Sequence, residues 1–411
     1  MSWLIPTNQL TPDQSRAVRL SPSEHRLISG GPGSGKTQIL VHRAKYLSDQ
    51  LSISADKWKI FVYNNVLKDY IKSDTNLLDL PEDNVHTFDH WCRLFYEEKI
   101  GPRVPFNPER KKPDFEATRR AVTDYVDTNI SKPFFEFLLV DEGQDLPEDV
   151  FELLNKISNH VTVCFDKKQQ LYPTGCEEQD VLEALNIRKK NINLIDAFRV
   201  CPYLVKLAAQ FIPDKKERAA FLDQQRTPQV EKETPLLYYA RDFDDEKSKL
   251  YEMVRERQLM NERIAILFAT NRQVFGFAQG LRDAGIEVEI PPHHVKNKSQ
   301  RPHDFTSSRP KLMAYHSAKG LTFDSVLLPR LVPGSFSWLP GGEEKIETLI
   351  FMAITRATRW AYFSTQEDDS LDALEKIIPL VKSGELKRLH WKDNNREGTA
   401  PQSSDDDLDF L

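Results

Sequence analysis

"ISGGPGSGKTQIL" runs from Ile28 to Leu40. Within it, Gly30 to Thr37 fits G-x-x-x-x-G-K-[ST], after the apolar pair Leu27-Ile28 and before a helical pattern of Ile39, Leu40, Arg43, Tyr46 and Leu47. Strand, glycine turn and helix in that order predict a phosphate cradle. Gly30, Gly31, Gly33, Ser34 and Gly35 let successive backbone N–H groups turn inward at a helix N-terminus. Lys36 supplies a point charge to the β and γ phosphates, and the Thr37 hydroxyl suits Mg²⁺. A plain surface turn has no need of the Lys-Thr pair. The residues therefore predict binding of a nucleoside triphosphate, ATP being the expected one, and leave open what the nucleotide drives.

Outward from the loop, apolar β-branched runs alternate with helical patterns: KIFVY from 59, EFLLVDE from 136, VTVCF from 161, INLI from 192, LLYYA from 236, RIAILFA from 263, KLMAY from 311, SVLLP from 325 and WAYFS from 360. Strands separated by helices predict an α/β chain with mostly parallel sheets. They are too numerous for one small sheet. Two α/β domains are expected, 1–192 and 193–395, followed by a polar tail, 396–411. The proline-punctuated stretches Lys99–Pro113 and Pro291–Pro310 read as irregular connections, and an amphipathic helix is expected from Asp114 to about Asn129. The last strong helix is expected to end near His390.

"FLLVDEGQD" ends a buried apolar strand in paired carboxylates, as a Walker B motif requires. Asp141 is placed to hold Mg²⁺ through water and Glu142 to take the proton of an attacking water. Composition narrows the partners. The 411 residues carry a net charge of −6, of which the tail supplies −4, so no strongly basic surface advertises nucleic acid. Any such binding must come from a local groove and base stacking. No run reaches the roughly 18 apolar residues of a membrane span, and the opening MSWLIPTNQLTPDQ lacks a signal peptide's regions, so a cytoplasmic protein is expected. Cys92, Cys164, Cys176 and Cys201 show no C-x-x-C pairing, which suits a reducing compartment. His293, His294 and His303 have no Cys or acidic partner at ligand spacing, so a solvated loop is the better reading.

DEGQD resembles the DEAQD signature of superfamily 1A helicases of the UvrD/Rep type, and further motifs follow in that family's order across residues 10 to 365. "LTPDQSRAV" resembles the N-terminal glutamine motif, which implies that Gln14 reads the adenine edge. "FVYNN" and "HTFDHWCRLF" resemble the strand-contacting segments and imply that Tyr63, Asn65, Thr87 and Phe88 lie along single-stranded DNA. "DKKQQLY" resembles the third motif, with Gln169 sensing the γ phosphate and Tyr172 under a base. "DAFRVCPYLVKLA" and "AITRAT" imply arginine fingers at Arg199 and Arg356. "IAILFATNRQVFGFAQGLRDAGI" resembles the strand and helix between them. "HSAKGLTFDSVLLP" is similar to the fifth motif, which touches nucleotide and DNA, implicating His316, Lys319 and Gly320. The resemblance implies two tandem RecA-like P-loop domains with the ATP site in the cleft between them, and 3′ to 5′ movement on single-stranded DNA. A nucleotide-switched clamp and an RNA-directed motor remain alternatives.

The chain departs from the family in places. The two large insertions of full-length relatives are replaced by about Glu97–Phe135, with room for one helix, and by Pro291–Pro310. Thr322 stands where the family has a ribose-binding Glu, Pro173-Thr174-Gly175 follows Tyr172 in place of an aromatic, and Phe165–Lys168 replaces an acidic stretch. The tail "SSDDDLDFL" reads either as a solvated acidic end or as a docking tip, in which carboxylates steer and Phe410 anchors. A docking tip would seat on a partner protein or on the motor's own DNA groove.

Overall fold

A computed structural model describes residues 3–109, 111–166, 175–188, 192–194, 200–223, 232–292, 295, 300–339 and 342–394. The chain is α/β, built on two large sheets whose described pairings are all parallel. The first sheet contains β1 (Arg26–Gly30), β2 (Trp58–Val62) and β3 (Val85–Thr87). A two-stranded hairpin, β4 (Phe106–Asn107) and β5 (Lys112–Pro113), interrupts it before β6 (Phe137–Val140), β7 (Val161–Phe165) and β8 (Ile192–Leu194). The order across the first sheet is β3-β2-β6-β7-β1-β8. The second sheet takes β9 (Leu236–Ala240), β10 (Ile264–Phe268), β11 (Glu289–Ile290), β12 (Arg301–Pro302), β13 (Lys311–Ala314), β14 (Phe323–Leu328), β15 (Ala357–Gln366) and β16 (Lys387–His390). Its order is β12-β11-β13-β10-β14-β15-β9-β16.

The inner strands are apolar on both faces because helices cover both. Every residue of β6, β7, β9 and β10 is buried, as a parallel sheet demands. The helices start where local chemistry stops the chain from continuing as strand. Thr11 and Gln14 form a capping box over α1 (Pro12–Val18), with Pro12 at its first position. Gly35, left-handed at φ 83°, opens α2 (Lys36–Leu51). Asn64 accepts from the Leu67 amide to start α3 (Asn65–Thr75), and Thr87 accepts from the His90 amide to start α4 (Phe88–Lys99). Asp114 does the same for α5 (Phe115–Asn129) through the Ala117 amide. The Asn64 and Thr87 caps lie at the carboxyl ends of β2 and β3, the edge where ligands bind in open parallel sheets.

Three connections differ from the sequence expectation. Lys99–Pro113 is partly ordered by the β4–β5 hairpin. Pro291–Pro310 contributes β12, which pairs with β11 at the sheet edge. Near His390 the chain forms a strand rather than the end of a long helix: β16 pairs with β9, because Pro379–Lys382 is a single turn closed by left-handed Gly384. Among the described residues no helix is long and apolar enough to cross a membrane. Tail residues 396–411 lie outside the described residues.

Candidate nucleotide site

The cradle loop connects β1 to α2, and the packing around it accounts for its glycines. A Cβ on Gly30 would sit 2.6 Å from Ser34 Oγ and 2.9 Å from Leu194 Cβ. Gly33 and Gly35 have positive φ. Ser34 is buried and donates to the Gly31 carbonyl at 2.8 Å. Lys36 Nζ lies 2.8 Å from the Gly30 carbonyl, 3.1 Å from the Gly31 carbonyl and 3.1 Å from Asp166 Oδ2. Burial works against its charge, yet Asp166, Glu142 and Asp141 outweigh burial and hold its pKa above the usual value.

Thr37 Oγ1 donates to Asp141 Oδ2 at 2.6 Å, which brings both expected Mg²⁺ ligands to one point. Burial, then the charge of Glu142, pushes Asp141 up to about 6, against the Thr37 bond and Lys36. For Glu142 burial acts the same way, but Lys319, Lys36 and Arg356, with the Gln144 bond, overcome it and hold the carboxyl below its ordinary range. Glu142 is a non-glycine residue at φ 53°, a left-handed conformation that functional turns hold under strain. Gln144 Nε2 donates to Glu142 Oε2 at 2.5 Å while its Oε1 accepts from the Asp166 amide at 2.9 Å. The sequence reading passed over this amide. The DEGQD spacing was its signal.

A cavity of about 500 Å³ opens between the two sheets. The first sheet's side contributes Gln14, Gly33, Gly35, Lys36, Thr37 and Glu142, and the second contributes Gly320, Thr322, Asp324 and Arg356. Arg356 is buried, its guanidinium braced by the Met352 carbonyl at 3.0 Å and Thr355 Oγ1 at 3.1 Å. Gly320, at φ 80°, serves the approach of the two units, since a Cβ there would stand 2.8 Å from Leu67 Cδ2 of α3. Gln14 reaches the cavity, but its amide is engaged in the protein: Oε1 accepts from the Thr11 amide at 3.0 Å and Nε2 donates to the Ser34 carbonyl at 3.0 Å. Reading a base edge requires it to give up one of these. Sequence reasoning also missed the N-terminal strap. Trp3 and Ile5 line the same cavity, tied down by Gln38, whose Oε1 accepts from the Ile5 amide at 3.1 Å and whose Nε2 donates to the Trp3 carbonyl at 2.5 Å.

Two residues expected on nucleic acid are elsewhere. Phe88 is 2% exposed and packs edge-on to Phe61 at 5.4 Å and against Trp91 at 5.8 Å, because the first turn of α4 faces the core. Phe88→Ala is expected to cost roughly 3–5 kcal/mol of stability by denaturant titration and to leave the nucleic-acid affinity of the folded fraction unchanged. Lys319 is fully buried, 2.5 Å from Asp145 Oδ2 and 4.0 Å from Glu142 Oε2, and cannot meet a strand in solvent. Thr87 spends its hydroxyl on the α4 cap. Tyr63 and His316 are half-buried, and Asn65 is exposed, accepting from Lys68 Nζ at 3.1 Å. Gln169, Tyr172 and Arg199 lie outside the described residues. Near Asn65, burial, then Arg93, Lys68 and Lys72, pushes His90 below its usual range against Glu97, so three cations neighbour it, of which Lys68 pairs with Asp69 and Arg93 with Glu97.

Residues 14–175 match the family model of an AAA domain. The matched span starts at Gln14 and takes in the cradle, Asp141 and Glu142, so this part of the chain is similar to a P-loop nucleotide-binding domain of the AAA type. No curated protein matches the chain. Among solved structures the chain is similar to the C-terminal domain of a possible DNA helicase from Lactobacillus plantarum WCFS1, at 11% identity and a TM-score of 0.35, covering 46% of this chain and 98% of that one.

Proposed function

We propose that this chain is an ATP hydrolase of superfamily 1 that couples Mg²⁺-ATP turnover to movement along single-stranded DNA. The observation carrying the proposal is that Arg356, from the second sheet's side, shares one cavity with Lys36, Thr37 and Glu142 of the first. A site completed by two bodies can hydrolyse only while they are together, so chemistry and domain movement are one event. The proposed units follow the two sheets, dividing after Leu194 rather than at 192, because Asn193 and Leu194 pair with Ser29 and Gly30 of β1.

In this reading Lys36 and the loop amides hold the phosphates, Glu142 accepts the proton of the attacking water, and Arg356 neutralises charge that develops on the transferred group. The donor set fits a hard divalent cation. The Thr37 and Asp141 oxygens converge at 2.6 Å, placing two hard oxygen donors at one point. Thr37 and Asp141 would hold Mg²⁺, which when bound supplies charge stabilisation on the phosphates. The strand would cross the carboxyl ends of β2 and β3, past Tyr63 and Asn65, with Lys68 and Lys72 on α3 and Arg93 on α4. Phosphate contacts from those cations would let a chain of net charge −6 bind nucleic acid.

The test is turnover of ATP by the full chain alone and with single-stranded DNA, duplex DNA or RNA. Stimulation of at least about tenfold by single-stranded DNA is expected, since strand and nucleotide favour the same closed arrangement. Equal turnover in all four conditions would sink the motor and leave an ATP-switched clamp, and stimulation by RNA alone would move the substrate to RNA.

A further inference from the structure

We infer that Lys319 is a positioning residue for hydrolysis: reaching across from the second sheet, it holds the turn that carries Glu142 whenever the two sheets are apposed. The inference rests on the ATPase reading above. Lys319 follows the 3-10 helix Tyr315–Ala318, which continues from β13, so it belongs to the second sheet. Its ammonium nevertheless ends 2.5 Å from Asp145 Oδ2, on the first. Both side chains are wholly buried.

Asp145 closes the 3-10 turn Gly143–Asp145 that begins at Glu142, and its amide donates to the Glu142 carbonyl at 3.1 Å. Because Glu142 is left-handed, this turn keeps its shape only if its surroundings impose it. Three holds are visible. Gly143 is pressed against β7, where a Cβ would meet Val163 Cγ1 at 2.5 Å. Gln144 ties Glu142 to the Asp166 amide. Lys319 grips Asp145, and of the three it alone comes from the other sheet.

Its placement suits holding better than direct chemistry. Lys319 does not line the cavity, whereas Arg356 does. At 4.0 Å from Glu142 Oε2 it is beyond hydrogen-bond length, so it takes no lone pair that Glu142 needs for a water proton. When the sheets part, the turn loses one of its three holds together with the finger. The base is thus aligned by the same movement that delivers Arg356.

The experiment compares the full-length wild type with Lys319→Met, Lys319→Arg, Asp145→Asn and the Lys319→Met/Asp145→Asn pair. It measures kcat and KM for ATP at saturating single-stranded DNA, affinity for a fluorescent ADP analogue, and melting temperature. Lys319→Met is expected to lose about 100-fold in kcat with KM and ADP-analogue affinity within about threefold, the effect of misplacing a reacting group by about an ångström. Lys319→Arg should recover at least about tenfold of that loss, and the double variant should be no slower than either single one, since both remove one interaction. A folded Lys319→Met with kcat within about threefold of wild type overturns the inference, as does weaker strand affinity at unchanged kcat, which would return Lys319 to nucleic-acid contact. If Lys319→Met does not fold, the double variant, which removes the Asp145 charge as well, decides: folded and slow supports the inference, folded and fast overturns it. Absence of turnover in the wild type overturns the ATPase reading and this inference together, whereas wild-type turnover matched by the variants overturns the inference alone.

Discussion

Glu142→Gln is expected to lower ATP turnover by about 10²–10⁴-fold while nucleotide affinity stays within a few-fold. The substitution keeps the size of the side chain and removes its capacity to accept a proton. Glu142 sits on the cavity wall beside Asp141, itself bonded to Thr37, and three cations, Lys36, Lys319 and Arg356, favour its carboxylate. None of these contacts is needed to hold the base or ribose, so binding survives. The check is steady-state phosphate release set beside titration with a fluorescent nucleotide. A variant that hydrolyses at the wild-type rate removes Glu142 from the chemistry.

Arg356→Ala is expected to lower kcat by about 10³–10⁵-fold, the range of arginine fingers. Its guanidinium is buried and pre-oriented by the Met352 carbonyl and Thr355 Oγ1, so no reorganisation is required when charge develops beside it. Lys is a poor substitute because a point charge on a flexible stem cannot use both braces. Single-turnover kinetics separates this from Glu142→Gln: both slow the chemical step, but only Arg356→Ala should also weaken the coupling between strand binding and nucleotide affinity. Wild-type kcat in Arg356→Ala would break the assignment of a cleft shared by two units.

Much of this architecture was legible in the residues. Buried strands such as VTVCF announce themselves because a parallel sheet covered on both faces leaves few polar positions, and Gly30, Gly33 and Gly35 sit where packing or positive φ excludes a side chain. Short strands at or next to the sheet edges, such as β11, β12 and β16, were not, since two to four residues carry too little pattern to separate from loop. The site was legible where a residue's type suffices for its task, as with Lys36, Thr37 and Asp141. It was illegible where orientation decides. Phe88 and Tyr63 are both aromatic residues at strand ends, yet only Phe88 begins a helix whose first turn faces the core. Lys319 was misread for a similar reason: nothing along the chain reveals that its partner lies 174 residues earlier, at Asp145.

The strand order of the first sheet has a consequence for synthesis. β1, which carries the cradle, is flanked by β7 and β8, although it precedes every other strand of its sheet in chain order. A ribosome must therefore deliver everything up to Val161 before β1 gains a neighbour, and up to Ile192 before it gains the second. Such distant pairing is slow to form. A nascent chain cut short before β7 has the glycine loop without the sheet that aims it, so competence to bind nucleotide arrives late, as one of the last properties the first sheet acquires.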